Sequence, residues 1–448
     1  MTFLHQGRFT LGVAVAVAIL TGCGGSQPPI GTPNATQPES TRMQHQNTDA
    51  KGGPEVLHSF LGSPDGAQPW SGIAFNRDNP NVPSDIGTTL RGGDSNNDGT
   101  VYGLTPGKKG AWNESVLYTF SGYPNDGSEP TGTVNRIRKV SPAGVVTTIA
   151  GGTSNNGTVV ELTSTSSGPW TESFIYSFKG TPDGANPYGD LLVDKQNNVY
   201  GTTSAGGTDN AGTVYRMSPK GSSFTETVLY SFQSGTDGDQ PNAGLILEKG
   251  VLYGTTIVGG SSGYGTVFKS SPSKAGQGGS FYSFQGPPND GSRPHSCLNA
   301  DSHGALYGTT SEGGTQNLGT VYKLTPNGSS YTESVLWNFG SISGDGAYPL
   351  GSLGLDSKGD IYGTTSGGGS GGSSGYGTFF ILAPSGSTYR ETVYSYEGTD
   401  GAYPYAGPSA DSKGNVYVTT EGGGTKNNGS VSQYLRRKMP GKMRSATC

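Results

Sequence analysis

Among 448 residues there are only three cysteines and five histidines, and basic residues are scarce. Cys23, Cys297 and Cys448 are too few for a disulfide scaffold and lack the paired spacing of a zinc site. The histidines (His5, His45, His58, His295 and His303) form no His-Glu-x-x-His pair, and there is no phosphate loop. Between residues 23 and 435, 22 basic residues face 33 acidic ones, a net of −11. That excludes nucleic acid as a partner, because phosphate binding needs a basic face. The apolar run at residues 11–20 is far short of the roughly 20 residues that span a bilayer.

What is plentiful is glycine, 78 residues, together with 28 prolines. Unpatterned, that composition would be low complexity. Here the glycines hold fixed places among β-branched and aromatic residues, the make-up of short strands joined by tight turns. An Asp-Gly pair marks each unit: Asp65-Gly66, Asp126-Gly127, Asp183-Gly184, Asp237-Gly238, Asp290-Gly291, Asp345-Gly346 and Asp400-Gly401. The spacings are 61, 57, 54, 53, 55 and 55 residues, a period that marks a propeller or a repeat array. Asp bonds its own backbone and Gly accepts positive φ, so the pair reads as a turn and not as a catalytic or calcium-binding group.

One unit gives the grammar, with four runs of strand formers at 189–194, 198–203, 212–217 and 225–232. Its Tyr-Gly-Thr-Thr segment (200–203) recurs at 253–256, 307–310 and 362–365, and its Gly-Thr-Val segment (212–214) at 99–101, 157–159, 265–267 and 319–321. The repeat opens at 55–60 with a fourth strand lacking its first three, and ends with strands at 406–411, 415–420 and 429–435 lacking a fourth. Joining these ends completes a last blade and removes an open sheet edge. The expected fold is all-β: a seven-bladed β-propeller of four-stranded antiparallel blades over 55–435, closed by the N-terminal strand 55–60. Blade one departs from the pattern at 76–83, and residues 137–151 of blade two resemble an NHL repeat, itself a propeller unit.

Arg8, the apolar run and Leu20-Thr21-Gly22-Cys23 together resemble a bacterial lipoprotein signal. The resemblance implies removal of residues 1–22, lipidation of Cys23, and export to the cell envelope with an acyl anchor. Gly24 stands where an acidic residue often retains such proteins in the inner membrane, which favours the outer membrane or cell surface. Residues 24–54, rich in Pro, Gln, Thr, Asn and Gly, read as a flexible tether, and 436–448 as a solvated basic tail. Export permits, without requiring, a bridge between Cys297 and Cys448.

The Tyr-Gly-Thr-Thr strands, Gly-Gly loops, Gly-Thr-Val strands and Val-Leu-Tyr-Ser-Phe type strands resemble the GloVer tandem-repeat family over residues 55–435. These are bacterial surface proteins with varied anchoring devices. The resemblance implies surface exposure and an anchor, and it supplies no catalytic residues.

In antiparallel four-stranded blades, the loops from strand four to the next strand one share a face with the loops between strands two and three. After each Asp-Gly turn comes a proline, and the residue following it varies: Trp70, Thr131, Tyr188, Asn242, His295, Leu350 and Tyr405. Tyr348 and Tyr403 precede their prolines, and Tyr264 and Tyr376 lie in the neighbouring loops. The candidate ligand-binding set is therefore Trp70, Tyr188, Tyr264, His295, Tyr348, Tyr376, Tyr403 and Tyr405. Rings on a rigid scaffold suit an uncharged glycan or an extended peptide; packing between blades is the other role open to them.

Asp94, Asn96 and Asp98 match the first half of an EF-hand-type calcium loop, but Thr105 stands where the bidentate carboxylate belongs. No metal or cofactor is therefore expected. Glu114, Glu172, Glu226, Glu333 and Glu391 read as solvated strand-end charges. The function these readings support is a monomeric, surface-tethered propeller that binds a surface glycan or an extracellular protein without chemistry, held to the membrane by lipid. The alternative is a polysaccharide-acting hydrolase or lyase, whose carboxylate pair need only be close in space.

Overall fold

The computed structural model describes residues 41–43, 54–75, 85–107, 112–122, 127–130, 135–137, 144–151, 156–164, 170–221, 223–435 and 443. Cys23, Thr131, Asp126 and the departure at 76–83 lie outside the described residues. Among the described residues the regular structure is strand, apart from two three-residue 3-10 turns, Gly235–Asp237 and Gly372–Ser374. No helix among them is long and apolar enough to cross a membrane.

The molecule is a β-propeller of four-stranded antiparallel blades. Six blades are each built from one continuous stretch of chain. Blade one takes Ala74–Phe75, Asp85–Thr89, Thr100–Pro106 and Trp112–Thr119. Blade two takes Asn135–Ile137, Gly144–Gly151, Thr158–Ser164 and Trp170–Ser177. Blade three runs from 192 to 231, blade four from 246 to 283, blade five from 299 to 338 and blade six from 354 to 395. The last three strands, Ser409–Ala410, Val416–Thr420 and Ser430–Tyr434, lack a fourth of their own. Glu55–Ser59 supplies it, pairing antiparallel with Ser430–Tyr434 to make a composite sheet.

The repeat is a set of size-matched partners. Gly308 in the second strand of blade five pairs with Tyr322 in the third, and a Cβ on Gly308 would lie 2.5 Å from the Tyr322 hydroxyl. Gly87 with Tyr102, Gly201 with Tyr215, Gly254 with Phe268 and Gly363 with Phe380 repeat the pairing. Where the glycine is missing the ring is missing too: Val418 pairs with Ser432, and Thr147 with Val160. Each buried third-strand ring then receives, edge to face, the ring that ends the preceding blade. Phe178 meets Tyr215 at 5.0 Å, Phe232 meets Phe268 at 4.9 Å, and Phe284 meets Tyr322 at 5.0 Å. Rings of this size dominate core energetics, and each of these is fully buried.

The composite sheet joins blade one by the same device. Phe60 of the N-terminal strand meets Tyr102 edge-on at 5.0 Å. Hydroxyls reinforce the joints: Thr202 donates to Ala243 O in the next loop at 2.8 Å, Thr364 to Ala406 O at 2.8 Å, and Thr419 to Ser71 O at 2.9 Å. The last of these spans nearly the whole repeat region and links the composite sheet to the loop entering blade one.

The Asp-Gly glycine has a different reason from the expected one. Gly238 and Gly401 use positive φ, at 103° and 142°, but Gly66, Gly184, Gly291 and Gly346 do not. What they share is lack of space: a Cβ on Gly291 would lie 2.5 Å from the Thr310 side chain of the next blade. That threonine is itself bonded to Thr320 at 2.7 Å. Two contacts involve the segments that flank the repeat. Thr41–Met43, within the stretch read as a tether, pairs in parallel with residues 392–394 on the outer strand of blade six. In the basic tail, Met443 is buried against Gly354 and in one cluster with Val416, so the tail is not solvated throughout.

Candidate functional site

Each sheet is entered through a loop that runs from the Asp-Gly turn to a proline, and the residue before that proline has positive φ. These are Gln68 (58°), Glu129 (50°), Asn186 (55°), Gln240 (57°), Arg293 (57°), Tyr348 (58°) and Tyr403 (58°). Left-handed backbone costs a side-chain-bearing residue about 1–2 kcal/mol, and for bulky residues it is an outlier. Two hydrogen bonds impose it. The N–H of Tyr348 donates to Leu318 O of the preceding blade at 2.8 Å, and its carbonyl accepts from Ser366 N–H at 3.1 Å. Gln68 repeats this at the composite joint, donating to Asn428 O at 2.8 Å and accepting from Leu90 N–H at 3.0 Å. The backbone is constant and the side chain varies, so strain is held where different groups are displayed.

The acceptors of those N–H groups vary as well: Asn428, Asp98, Asn156, Ala211, Tyr264, Leu318 and Tyr376. Side-by-side positions therefore divide the loop face into two parts. At the entrances to blades one to three stand Gln68 with Asn428, Glu129 with Asp98, and Asn186 with Asn156. Arg91 holds Glu129 at 2.6 Å there. At the entrances to blades five and six and the composite sheet stand Arg293 with Tyr264, Tyr348 with Leu318, and Tyr403 with Tyr376. This second arc is aromatic. Tyr264, Tyr348, Tyr376 and Tyr403 are 39%, 39%, 46% and 39% exposed, and the rings of Tyr376 and Tyr403 lie 6.1 Å apart. Tyr264 rests on the backbone of Gly286 and Tyr376 lies beside Gly398, so each ring has one side supported. Arg293 is held by Glu312 at 3.3 Å.

The other predicted residues fare differently. Tyr188 is well exposed, at the entrance to blade three. Trp70 and Tyr405 stack on each other at 4.3 Å and 19°, half-buried, so they pack together rather than present free faces. His295 is half-buried; burial first, and then the charge of Arg293, pull its pKa down to about 4, which leaves the imidazole neutral at neutral pH. Two positions on, Cys297 is buried and disulfide-bonded. In the calcium candidate, Asp94 Oδ1 accepts from Asn96 N–H at 2.8 Å and Asn97 Oδ1 from Gly92 N–H at 2.7 Å, so the loop is folded by its own bonds.

The repeated acids are not solvated strand ends. Each described turn aspartate clamps its own blade: Asp290 accepts from Tyr282 hydroxyl at 2.9 Å, Gln285 N–H at 2.7 Å and Gly291 N–H at 2.6 Å. Asp183 does the same with Tyr176, Lys179 and Gly184. The glutamate of the next blade's fourth strand comes up beside this aspartate. Burial, and then the neighbouring Asp65, Asp183 and Asp290 respectively, raise Glu114, Glu226 and Glu333 to about 7. Glu391 is fully buried against Asp345 and is pushed well above the usual carboxyl range, for the same two reasons in the same order. A like charge beside a half-buried carboxyl disfavours its ionised form, so each of these glutamates holds its proton more tightly than a free one. Their recurrence marks them as part of the scaffold.

The positive-φ residues were legible only as a slot between Asp-Gly and Pro whose occupant varies; their backbone conformation was not. A variable slot at a fixed place in an otherwise constant loop is the sequence signal that could have found them.

A propeller with a constant scaffold and a variable loop face is the class these features define. The chain belongs to the Gloeobacter/Verrucomicrobia repeat family, which it matches at residues 135–286 and 274–439. No curated protein matches it in sequence. Among solved structures it is similar to a Thermus thermophilus oxidoreductase described as a glucose dehydrogenase. That similarity has 15% identity, 66% of this chain and 94% of that one covered, and a TM-score of 0.41. Trypanosoma rangeli sialidase gives 11% identity, 86% and 59% coverage and a TM-score of 0.43. A Dyadobacter fermentans protein of unknown function gives 15%, 68% and 93%, and 0.42. At these values the similarities carry nothing about activity.

Proposed function

We propose that this protein is a cell-surface propeller, held by a lipid on Cys23, that binds a neutral glycan on its aromatic arc and performs no chemistry. The observation that carries the reading is the arc itself: Tyr264, Tyr348, Tyr376 and Tyr403, partly exposed on a rigid face whose backbone is the same at every entrance. Supported, half-exposed rings are the surface on which sugar rings stack. We count the composite sheet as a seventh blade, because it joins blade one through the same ring-on-ring contact and threonine bond that join the others. That closure makes the loop face rigid, and a rigid face loses little entropy on binding. The acid pairs weigh against a hydrolase, since they recur between blades, half-buried or buried, rather than standing singly at an open mouth. The disulfide at Cys297 supports export to an oxidising compartment. The protein acts as a monomer.

A glycan array probed with the full chain, with product analysis on each hit, tests this. Binding without cleavage, lost in the Tyr264, Tyr348, Tyr376 and Tyr403 quadruple alanine variant, is expected. Cleavage of a bound glycan would replace this reading with the hydrolase. Retained binding in the quadruple variant would remove the arc as the site, and silence across the array would point to a protein ligand.

A further inference from the structure

Where the fourth strand meets a described turn aspartate, blades two to six carry an aromatic donor. Tyr176 donates to Asp183, Tyr230 to Asp237, Tyr282 to Asp290, Trp337 to Asp345 and Tyr394 to Asp400. The composite sheet breaks the pattern. There the place is taken by His58, whose Nε2 lies 3.3 Å from Asp65 Oδ2. Glu114 of blade one closes the group, so that one ligand atom from each of the three residues lies within 4.8 Å of the others. Glu114 Oε1 is buried and has no hydrogen-bond partner.

We propose that His58, Asp65 and Glu114 bind a first-row divalent cation across the joint between the N-terminal strand and blade one, with zinc as the probe. One imidazole nitrogen and two carboxylate oxygens are donors zinc accepts, whereas calcium takes oxygen alone. The separation of His58 from Asp65 equals the edge of a tetrahedron whose metal–ligand bonds are about 2.0 Å. A dication would also neutralise two carboxyl groups that face each other and would bring the buried Glu114 oxygen a partner. Water fills the fourth position, and the chemistry is structural: the ion clasps the strand that closes the ring to its neighbour. Blade five supplies an internal control, because Glu333 lies beside Asp290 there with Tyr282 in place of an imidazole.

The test uses the full chain, stripped with a chelator, titrated with zinc chloride by calorimetry and followed by thermal unfolding. One site and a rise in Tm with zinc are expected, since an ion that binds only the folded state stabilises it. His58→Tyr installs the residue the other blades use. It should fold with an unchanged metal-free Tm and bind zinc at least about tenfold more weakly. Glu114→Gln, which keeps the shape, should weaken binding as much and decides the matter if His58→Tyr does not fold. Glu333→Gln should bind as the parent does. No zinc-dependent heat or Tm rise in the parent overturns the proposal, as does equal binding by His58→Tyr and Glu114→Gln.

Discussion

The hydroxyl of Tyr282 donates to Asp290 Oδ2 at 2.9 Å, tying the last strand of blade four to the turn that leaves it. The same carboxylate takes two backbone N–H groups, so its loss strands three donors at once. Asp290→Ala should destabilise the protein by roughly 2–4 kcal/mol, more than a single hydrogen bond, because a stranded buried donor costs about 1–3 kcal/mol and two of these three are only part-buried. Tyr282→Phe removes one of the three and should cost about 1 kcal/mol. Urea midpoints of the two variants check the order. Equal effects would mean the backbone bonds contribute nothing.

Gly308 is excluded from carrying a Cβ by Tyr322. Gly308→Ala should therefore cost about 1–3 kcal/mol by overpacking, although alanine suits a strand better than glycine. Added to Tyr322→Val, the same change should cost little or nothing, since the composite sheet tolerates Val418 where its partner is Ser432. A double-mutant cycle measures the coupling, and simple additivity would rule out the size-matched pair.

The acid pairs set a pH dependence. Glu114, Glu226 and Glu333 ionise near 7 in the fold, above their ordinary 4.5, so the folded state keeps protons that the unfolded chain has released. Their contribution is fully present below about 4.5 and is lost as pH rises through about 7. His295, whose folded value is about 4 against 6.5, works in the opposite sense as pH falls below 6.5, but it is one group against several. Stability should fall between pH 5 and about 7.5 in chemical denaturation. Glu333→Gln, a mimic of the neutral form, should flatten that slope. A parent profile that rises through this window would count against these raised carboxyl values.

At Gln240 the backbone φ is 57° and the side chain is exposed. Gln240→Gly should stabilise the protein by about 1 kcal/mol, by relieving left-handed strain that glycine does not feel. Tyr403→Gly, at the same backbone angle, should relieve the same strain while losing any ligand bound to the aromatic arc. Thermal unfolding and glycan binding measured together distinguish stored strain from simple loss of a ring.

The period, the strand grammar and the need to join 55–60 to the last three strands were all in the sequence, because turn chemistry and strand propensity act over a few residues. So was the family. The Asp-Gly pair was seen as a turn, and its aspartate does clamp one. Other features were decided only when blade met blade. Gly291 of one such pair answers to Thr310 of the next blade rather than to φ, Glu391 is buried against Asp345, and Glu114, Glu226 and Glu333 are half-buried beside aspartates of the preceding turn. The left-handed residues at the entrances depend on a carbonyl from the blade before. Contacts between blades reach beyond the few residues a turn or strand pattern records: Thr202 and Ala243 stand 41 apart, and Thr419 and Ser71 stand 348 apart. The sequence by itself determined the blade; the ring, by bringing each blade against its neighbour in a crowded joint, decided which side chains are buried, which acids hold their protons more tightly and which rings are left on show.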